Sequence, residues 1–293
     1  MSGLSFVEVS PRDGLQNEKT VLTVAQRIGL IERAVAAGAR RIEVASFVNP
    51  ARVPQMAGAE ELIAALNLPG HVSSIGLVLN ERGAERALAT GVDELGLVCA
   101  ASDDFAVANQ GMSAEDSLAM AERVLARCAG AGRRAQVTIA VSFGCPFAGQ
   151  VDPARVAEMA ARLAAAGPVE IGIADTIGIA RPAEVSALIG MVVKAVGPVP
   201  VRAHFHDTRG MGVANALAAV AAGASVIDGS IAGTGGCPFA PGASGNAASE
   251  DLAFAFGPAL GLDLGELIAA GEWLNSQLGR SACSAQMRVS RTS

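Results

Sequence analysis

Ala37-Gly38-Ala39-Arg40-Arg41-Ile42-Glu43-Val44-Ala45-Ser46-Phe47 joins the end of a helix to the start of a strand, and this join decides the fold. Upstream, residues 21–36 repeat apolar side chains at helical spacing through Ile28, Leu30, Ile31 and Val35. Gly38 stands just past the helix end, where a left-handed residue closes the last turn. The β-branched run 41–47 follows as a strand. The same punctuation recurs at Thr90-Gly91-Val92, Ala131-Gly132, Ala166-Gly167-Pro168 and Ala222-Gly223-Ala224. Pro153 and Pro182 fall near helix starts, where proline is tolerated.

Working outward from that join, strands are expected at 6–9, 41–47, 73–79, 94–100, 136–142, 170–176, 201–207 and 225–231. Their spacing is that of βα units. The repetition predicts an α/β fold of the (β/α)8 TIM-barrel type in preference to a doubly wound sheet. No G-x-G-x-x-G follows the first strand, which further weakens a dinucleotide-binding sheet. Extra C-terminal helices are expected at 251–260 and 264–278, with 281–293 a frayed tail. With no linker visible, residues 1–293 read as one domain, the barrel over about 6–250 and a helical extension over about 251–280.

Composition narrows the class of partner. The chain is 51% hydrophobic but only 3% aromatic, so Ala, Val, Ile and Leu carry its core. A net charge of −6 offers no footprint for nucleic acid. No apolar run is long enough to span a bilayer, and the N-terminus shows no secretory or transit pattern, so a cytoplasmic protein with no membrane association is expected. The five cysteines are scattered without a C-x-x-C pair, which argues against a zinc knuckle or disulfide scaffold.

The chemistry gathers at strand ends, the catalytic face of such a barrel. His204 and His206, two of the three histidines, alternate with Ala203 and Phe205 and so share one face of their strand. Other strand ends supply Arg12, Asp13 and Gln16; Glu43 and Ser46; Ser102; Asp175 and Thr176; and, past the eighth strand, Cys237 and Asn246. Individually Asp13 reads as a turn residue, Asp175 as a helix cap and Asn246 as a loop residue. Their convergence points to a site. Two imidazoles with the Asp13 carboxylate and the Asn246 amide form an N/O donor set without thiolate, suited to Mg2+ or Mn2+, with Zn2+ or Co2+ as substitutes, better than to a structural zinc site. Arg12, beside Asp13, is placed to neutralise a developing oxyanion.

These residues carry a resemblance to the 3-hydroxy-3-methylglutaryl-CoA lyase family, metal-dependent lyases built on a TIM barrel. The matching pieces run in order: Pro11-Arg12-Asp13-Gly14-Leu15-Gln16-Asn17-Glu18, Gly144-Cys145-Pro146-Phe147, Asp175-Thr176-Ile177-Gly178, His204-Phe205-His206-Asp207-Thr208 and Gly235-Gly236-Cys237-Pro238-Phe239 through Asn246. The resemblance implies cleavage of the methylglutaryl thioester to acetoacetate and acetyl-CoA, a step of leucine catabolism, in a homodimer or higher homo-oligomer. It further implies that Asp13, His204, His206 and Asn246 hold a divalent cation and that Arg12 stabilises the acetyl enolate. Cys237 would take part in proton transfer, while Glu43, Asp175 and Glu250 would orient ligands or substrate. His204 is also a candidate base, and Arg12, Gln16, Ser46, Ser102, Thr176 and Arg209 are the candidate contacts to substrate.

Three departures bear on the acyl group. The family pattern His-Asp-Thr-Tyr-Gly-Gln reads here His206-Asp207-Thr208-Arg209-Gly210-Met211. The Tyr and Ser-Cys pair of the fifth strand are replaced in Val137-Thr138-Ile139-Ala140-Val141-Ser142. The fourth strand ends Ser102-Asp103-Asp104 rather than Ser-Glu. Rival readings are therefore a lyase for citramalyl-CoA, a methylmalyl-type or a longer branched 3-hydroxyglutaryl-CoA, and a Claisen-condensing synthase.

Overall fold

A computed structural model describes residues 3–236, 245–281 and 284–290. Eight parallel strands close on themselves in sequence order, the first pairing with the eighth. They are β1 (Ser5–Glu8), β2 (Arg41–Ser46), β3 (Ser73–Val78), β4 (Glu94–Ala100), β5 (Arg134–Ala140), β6 (Ile171–Asp175), β7 (Val201–Phe205) and β8 (Val226–Gly229). The (β/α)8 expectation holds. Helices α1 (Val24–Ala36), α2 (Ala59–Ala65), α3 (Glu81–Leu88), α4 (Asp103–Gln110), α5 (Ala114–Gly130), α6 (Pro153–Ala165), α7 (Pro182–Val196) and α8 (Gly212–Ala221) cover the outside, followed by α9 (Ser249–Phe256), α10 (Leu264–Leu278) and α11 (Ala285–Ser290). No helix among the described residues is long and apolar enough to cross a membrane.

Local chemistry accounts for the helix ends. Thr23 and Gln26 form a reciprocal capping box at the start of α1, satisfying N–H groups the helix itself cannot pair. Asp152 caps α6 with Pro153 in its first turn. Gly38, Gly132, Gly167 and Gly223 take the positive φ expected after helices, but Gly91 does not. Strand limits differ from expectation by a residue or two. In β5 the ladder ends at Ala140 because Val141 turns to φ 52° and gives its N–H to Thr176 Oγ1 at 2.8 Å.

The tail departs from expectation. Residues 285–290 form α11 rather than fraying. The Asp251 carboxylate accepts from the backbone N–H groups of Ala285 and Gln286 at 3.0 and 2.9 Å, and Met287 is completely buried.

The apolar core lies outside the barrel wall, between strands and helices. Inside the barrel, the separate apolar cluster is only Val7, Val9, Ile75 and Val226. The lumen also holds a network of buried charges, where barrels of this kind usually stack branched aliphatic layers. Arg41 at 14% exposure is paired with Glu94 and Glu170, and Arg202 at 4% with Glu43, Glu170 and Asp228. Burying such charges is tolerable only when each is paired.

Candidate active site

The site is assembled from two turns and one strand end. After β1 the chain makes a wide helical turn, Ser10–Gly14, that carries Arg12 and Asp13. A Cβ on Gly14 would stand 2.4 Å from Thr234 Oγ1 and 2.6 Å from Ser230 Oγ, so only glycine lets this turn dock on the segment after β8. That segment returns as Asn246, which bridges antiparallel to His206 while Asp207 N–H donates to Gly245 O at 2.9 Å. Sequence positions 13, 204, 206 and 246 thus meet at one mouth of the barrel.

Metal-binding atoms of Asp13, His204 and His206 all lie within 4.8 Å of one another. His204 Nδ1 is 2.8 Å from Asp228 Oδ1. A carboxylate only accepts, so Nδ1 carries the hydrogen and Nε2 keeps the lone pair for a ligand. Burial disfavours the imidazolium, yet Asp228 and Asp13 raise the His204 pKa above its ordinary value. Burial would raise the Asp13 carboxyl, but Arg12, His204, His206 and the Asn246 amide together hold it well below the usual carboxylate range. Asn246 donates Nδ2 to Asp13 Oδ2 at 2.8 Å and to Thr234 O at 3.0 Å. Its Oδ1 is buried without a hydrogen-bond partner among the described residues. An orphaned amide oxygen beside a carboxylate and two imidazoles fits a divalent cation, since such a group is costly to leave unsatisfied.

Arg12 donates Nε to Glu43 Oε2 at 2.7 Å and Nη1 to Asp13 Oδ1 at 2.5 Å. With Asp13, His204 and His206 it borders a cavity of about 140 Å3, whose wall also includes Gln16, Glu43 and Thr176. A wider cavity of about 930 Å3 adjoins it through Gln16 and Asn17 and is flanked by Arg52, Arg82 and Arg86. Asn17 Nδ2 donates to Gly236 O at 2.6 Å, tying the first turn to the start of the glycine-rich loop.

Other expected site residues stand elsewhere. Asp175 turns from the cavity because Ile179 and Ala180 N–H groups at 3.0 and 2.9 Å capture its carboxylate. Ser102 caps α4, accepting from Phe105 N–H at 3.4 Å while donating to Cys145 Sγ at 3.0 Å. Ser46 is buried in the strand wall. Arg209 is exposed and donates to Gly178 O at 3.3 Å, outside the cavity lining. Glu250 lies beneath the Ile231–Gly233 turn, accepting from Ala232 N–H at 2.9 Å. Cys237 lies outside the described residues. Sequence reading missed Asp228 and Arg202 and met Thr138 only as a departure from the family pattern; all three line the cavity. The inward direction of Arg202 was legible, two residues from His204 on the same face, but its neighbours were not.

Fold and site together define a barrel protein with three residues at one mouth, Asp13, His204 and His206, whose donor atoms could hold a metal ion. The pattern of the HMGL-like family matches residues 3–272, and the chain belongs to that family. It is 44% identical to the (R)-citramalyl-CoA lyase of Chloroflexus aurantiacus over 96% of this chain and 92% of that one. The crystal structure of hydroxymethylglutaryl-CoA lyase from Pseudomonas aeruginosa superposes with a TM-score of 0.94 at 39% identity, covering 99% of this chain and 97% of that one. A lyase of the same name from Acinetobacter baumannii, solved with coenzyme A and 3-methylmalate, gives a TM-score of 0.92 at 36% identity over 97% and 94% of the two chains.

Proposed function

We propose that this chain is a carbon–carbon lyase cleaving a 3-hydroxyacyl-CoA between C2 and C3, with the 3-hydroxy-3-methylglutaryl thioester as first substrate. The observation that carries this reading is the Arg12 guanidinium set against the Asp13–His204–His206 cluster. Loss of the C3 hydroxyl proton forms the ketone, the C2–C3 bond breaks, and the electron pair passes to C2 as the acetyl-CoA enolate. Protonation at C2 then yields acetyl-CoA, with acetoacetate as the other product.

Asp13, His204, His206 and Asn246 would hold a divalent cation, magnesium or manganese by donor type, which lowers the pKa of the substrate hydroxyl and polarises its oxygens. Asp228 fixes the His204 tautomer. Glu43 aims Arg12 at the position where enolate charge develops. Gln16 and Thr176 line the cavity and would border the acyl group. Cys237 is assigned a part in proton transfer from the glycine-rich loop, and a cytoplasmic homodimer serving leucine breakdown accompanies this reading.

A second reading changes only the acyl group. Citramalyl-CoA, cleaved to pyruvate and acetyl-CoA, is favoured by the likeness to the Chloroflexus lyase and by Thr138 in the cavity wall. Release of acetyl-CoA from both thioesters by the Mg2+- or Mn2+-loaded protein, beside Arg12→Ala, tests the proposal. Cleavage of at least one, with kcat reduced about 10^3-fold or more in the variant, is expected. No cleavage of either, or an unaffected variant, would overturn it.

A further inference from the structure

Below the metal cluster the cavity has a floor, and that floor carries charge. Arg202 sits two residues before His204 on β7, on the same inward face, one layer deeper in the barrel. Its Nη2 donates to Thr138 Oγ1 at 2.9 Å. The two residues lie on β7 and β5, with β6 between them, and the register pairs both with Gly172. A Cβ on Gly172 would stand 2.5 Å from Thr138 Oγ1. The missing side chain on the middle strand is what lets the guanidinium lie across it and reach the hydroxyl.

The carboxylates around Arg202 take up only part of its hydrogen-bonding capacity, Nη1 donating to Glu43 Oε1 at 3.4 Å. Glu43, Glu170 and Asp228 approach it at 3.4, 3.3 and 3.5 Å, long for charge-assisted bonds. Each is also held by another partner: Glu43 by Arg12, Glu170 by Arg41 and Asp228 by His204. The short bond of Arg202 goes to a neutral hydroxyl, and Nε finds no hydrogen-bond partner among the described residues. Nη1 and Nη2 each have a second N–H that these partners leave unused, on a group that borders the cavity. A planar fork of this kind matches a carboxylate.

We propose that Arg202, braced by Thr138, is a specificity-determining residue that receives the free carboxylate of the acyl group. The substrate class is then a short dicarboxylic 3-hydroxyacyl thioester, its hydroxyl at the Asp13–His204–His206 cluster and its acid end at the floor. An acyl chain ending in an apolar tail is rejected, since it would bury the guanidinium's unused N–H groups against hydrocarbon. The longer branched 3-hydroxyglutaryl groups considered from sequence keep this carboxylate and are not excluded on this ground. This inference rests on the lyase reading of the site.

The test compares 3-hydroxy-3-methylglutaryl-CoA and citramalyl-CoA with 3-hydroxy-3-methylbutyryl-CoA, which lacks the carboxylate. Both kcat/KM and calorimetric Kd are measured for the metal-loaded wild type, Arg202→Met and Thr138→Val. Discrimination for the carboxylate of roughly 100-fold or more in the wild type is expected to fall to under about tenfold in Arg202→Met. Thr138→Val keeps every charge in place, and a loss of about threefold or more in that ratio is expected. If Arg202→Met does not fold, the Thr138→Val ratio decides. If no thioester is cleaved, the lyase reading fails, and the Kd ratios still decide whether Arg202 takes the carboxylate. Ratios unchanged within about twofold in the folded variants, or absent from the wild type, would overturn the assignment.

Discussion

Asp228 Oδ1 and His204 Nδ1 stand 2.8 Å apart, with Asp228 only 2% exposed and its second oxygen facing Arg202 at 3.5 Å. One carboxylate therefore sets the His204 tautomer and links the cluster to the ionic floor. Asp228→Asn can offer either a carbonyl or an amide N–H to Nδ1, and the second arrangement turns the imidazole lone pair away from the cluster. The expected result is about 10- to 100-fold weaker Mn2+ binding, measured by calorimetry on the folded protein. Affinity equal to wild type would remove Asp228 from the site.

Gly14→Ala tests the docking of the Ser10–Gly14 turn that carries Arg12 and Asp13. The added methyl would meet Thr234 Oγ1 at 2.4 Å and Ser230 Oγ at 2.6 Å, two hydroxyls themselves 2.6 Å apart and buried. Either the hydroxyl pair or the Ser10–Gly14 turn must move, and the turn carries Arg12 and Asp13. A stability loss of about 1–3 kcal/mol is expected, along with a fall in kcat that exceeds the change in KM. A melting temperature and kcat both equal to wild type would show that the contact is slack.

The barrel was readable because one local join, helix to glycine to β-branched run, recurs with helical and strand periods on either side of it. The clustering of the candidate ligands was readable because period-two alternation aligns His204 with His206, while Asp13 and Asn246 stand in loops at the same mouth. Sequence spacing could not tell a strand-end polar group facing the cavity from one captured by the next turn. Asp175 and Ser102 lie at strand ends like Asp13, but backbone N–H groups at 179, 180 and 105 claim them. Arg202 was passed over because a charge inside a barrel has meaning only once its neighbours are known. Glu43, Glu170 and Asp228 are 159, 32 and 26 positions away from it in the chain.

Met287→Ala tests the terminal segment that sequence assigned to a frayed tail. Met287 is the buried residue of α11 and packs against Gly271 of α10, where a Cβ on the glycine would stand 2.8 Å from the methionine sulfur. Truncation leaves a void that the rest of this six-residue helix has little means to refill. A loss of about 2–3 kcal/mol in denaturant melts is expected. A change below about 0.5 kcal/mol would mean that the segment contributes nothing to the fold.

Glu250 gives the fold a pH dependence of definite sign. Burial, reinforced by the nearby Glu8, pushes its carboxyl up from the ordinary 4.5 to about 8. Oε1 accepts from Ala232 N–H at 2.9 Å, while Oε2 is buried without a hydrogen-bond partner among the described residues. The folded state thus holds a proton that the unfolded chain releases near 4.5. Its stabilising contribution is fully present below that value and is lost as pH rises through about 8. Glu250→Gln keeps the acceptor for Ala232 and cannot ionise. Relative to wild type, the variant should gain stability from pH 5 to about pH 8, by on the order of 3 kcal/mol, and level off above it. Paired thermal melts at pH 5, 7 and 9 measure this. A difference between the two proteins that stays constant with pH would show that Glu250 is charged throughout and that its second oxygen has found another partner.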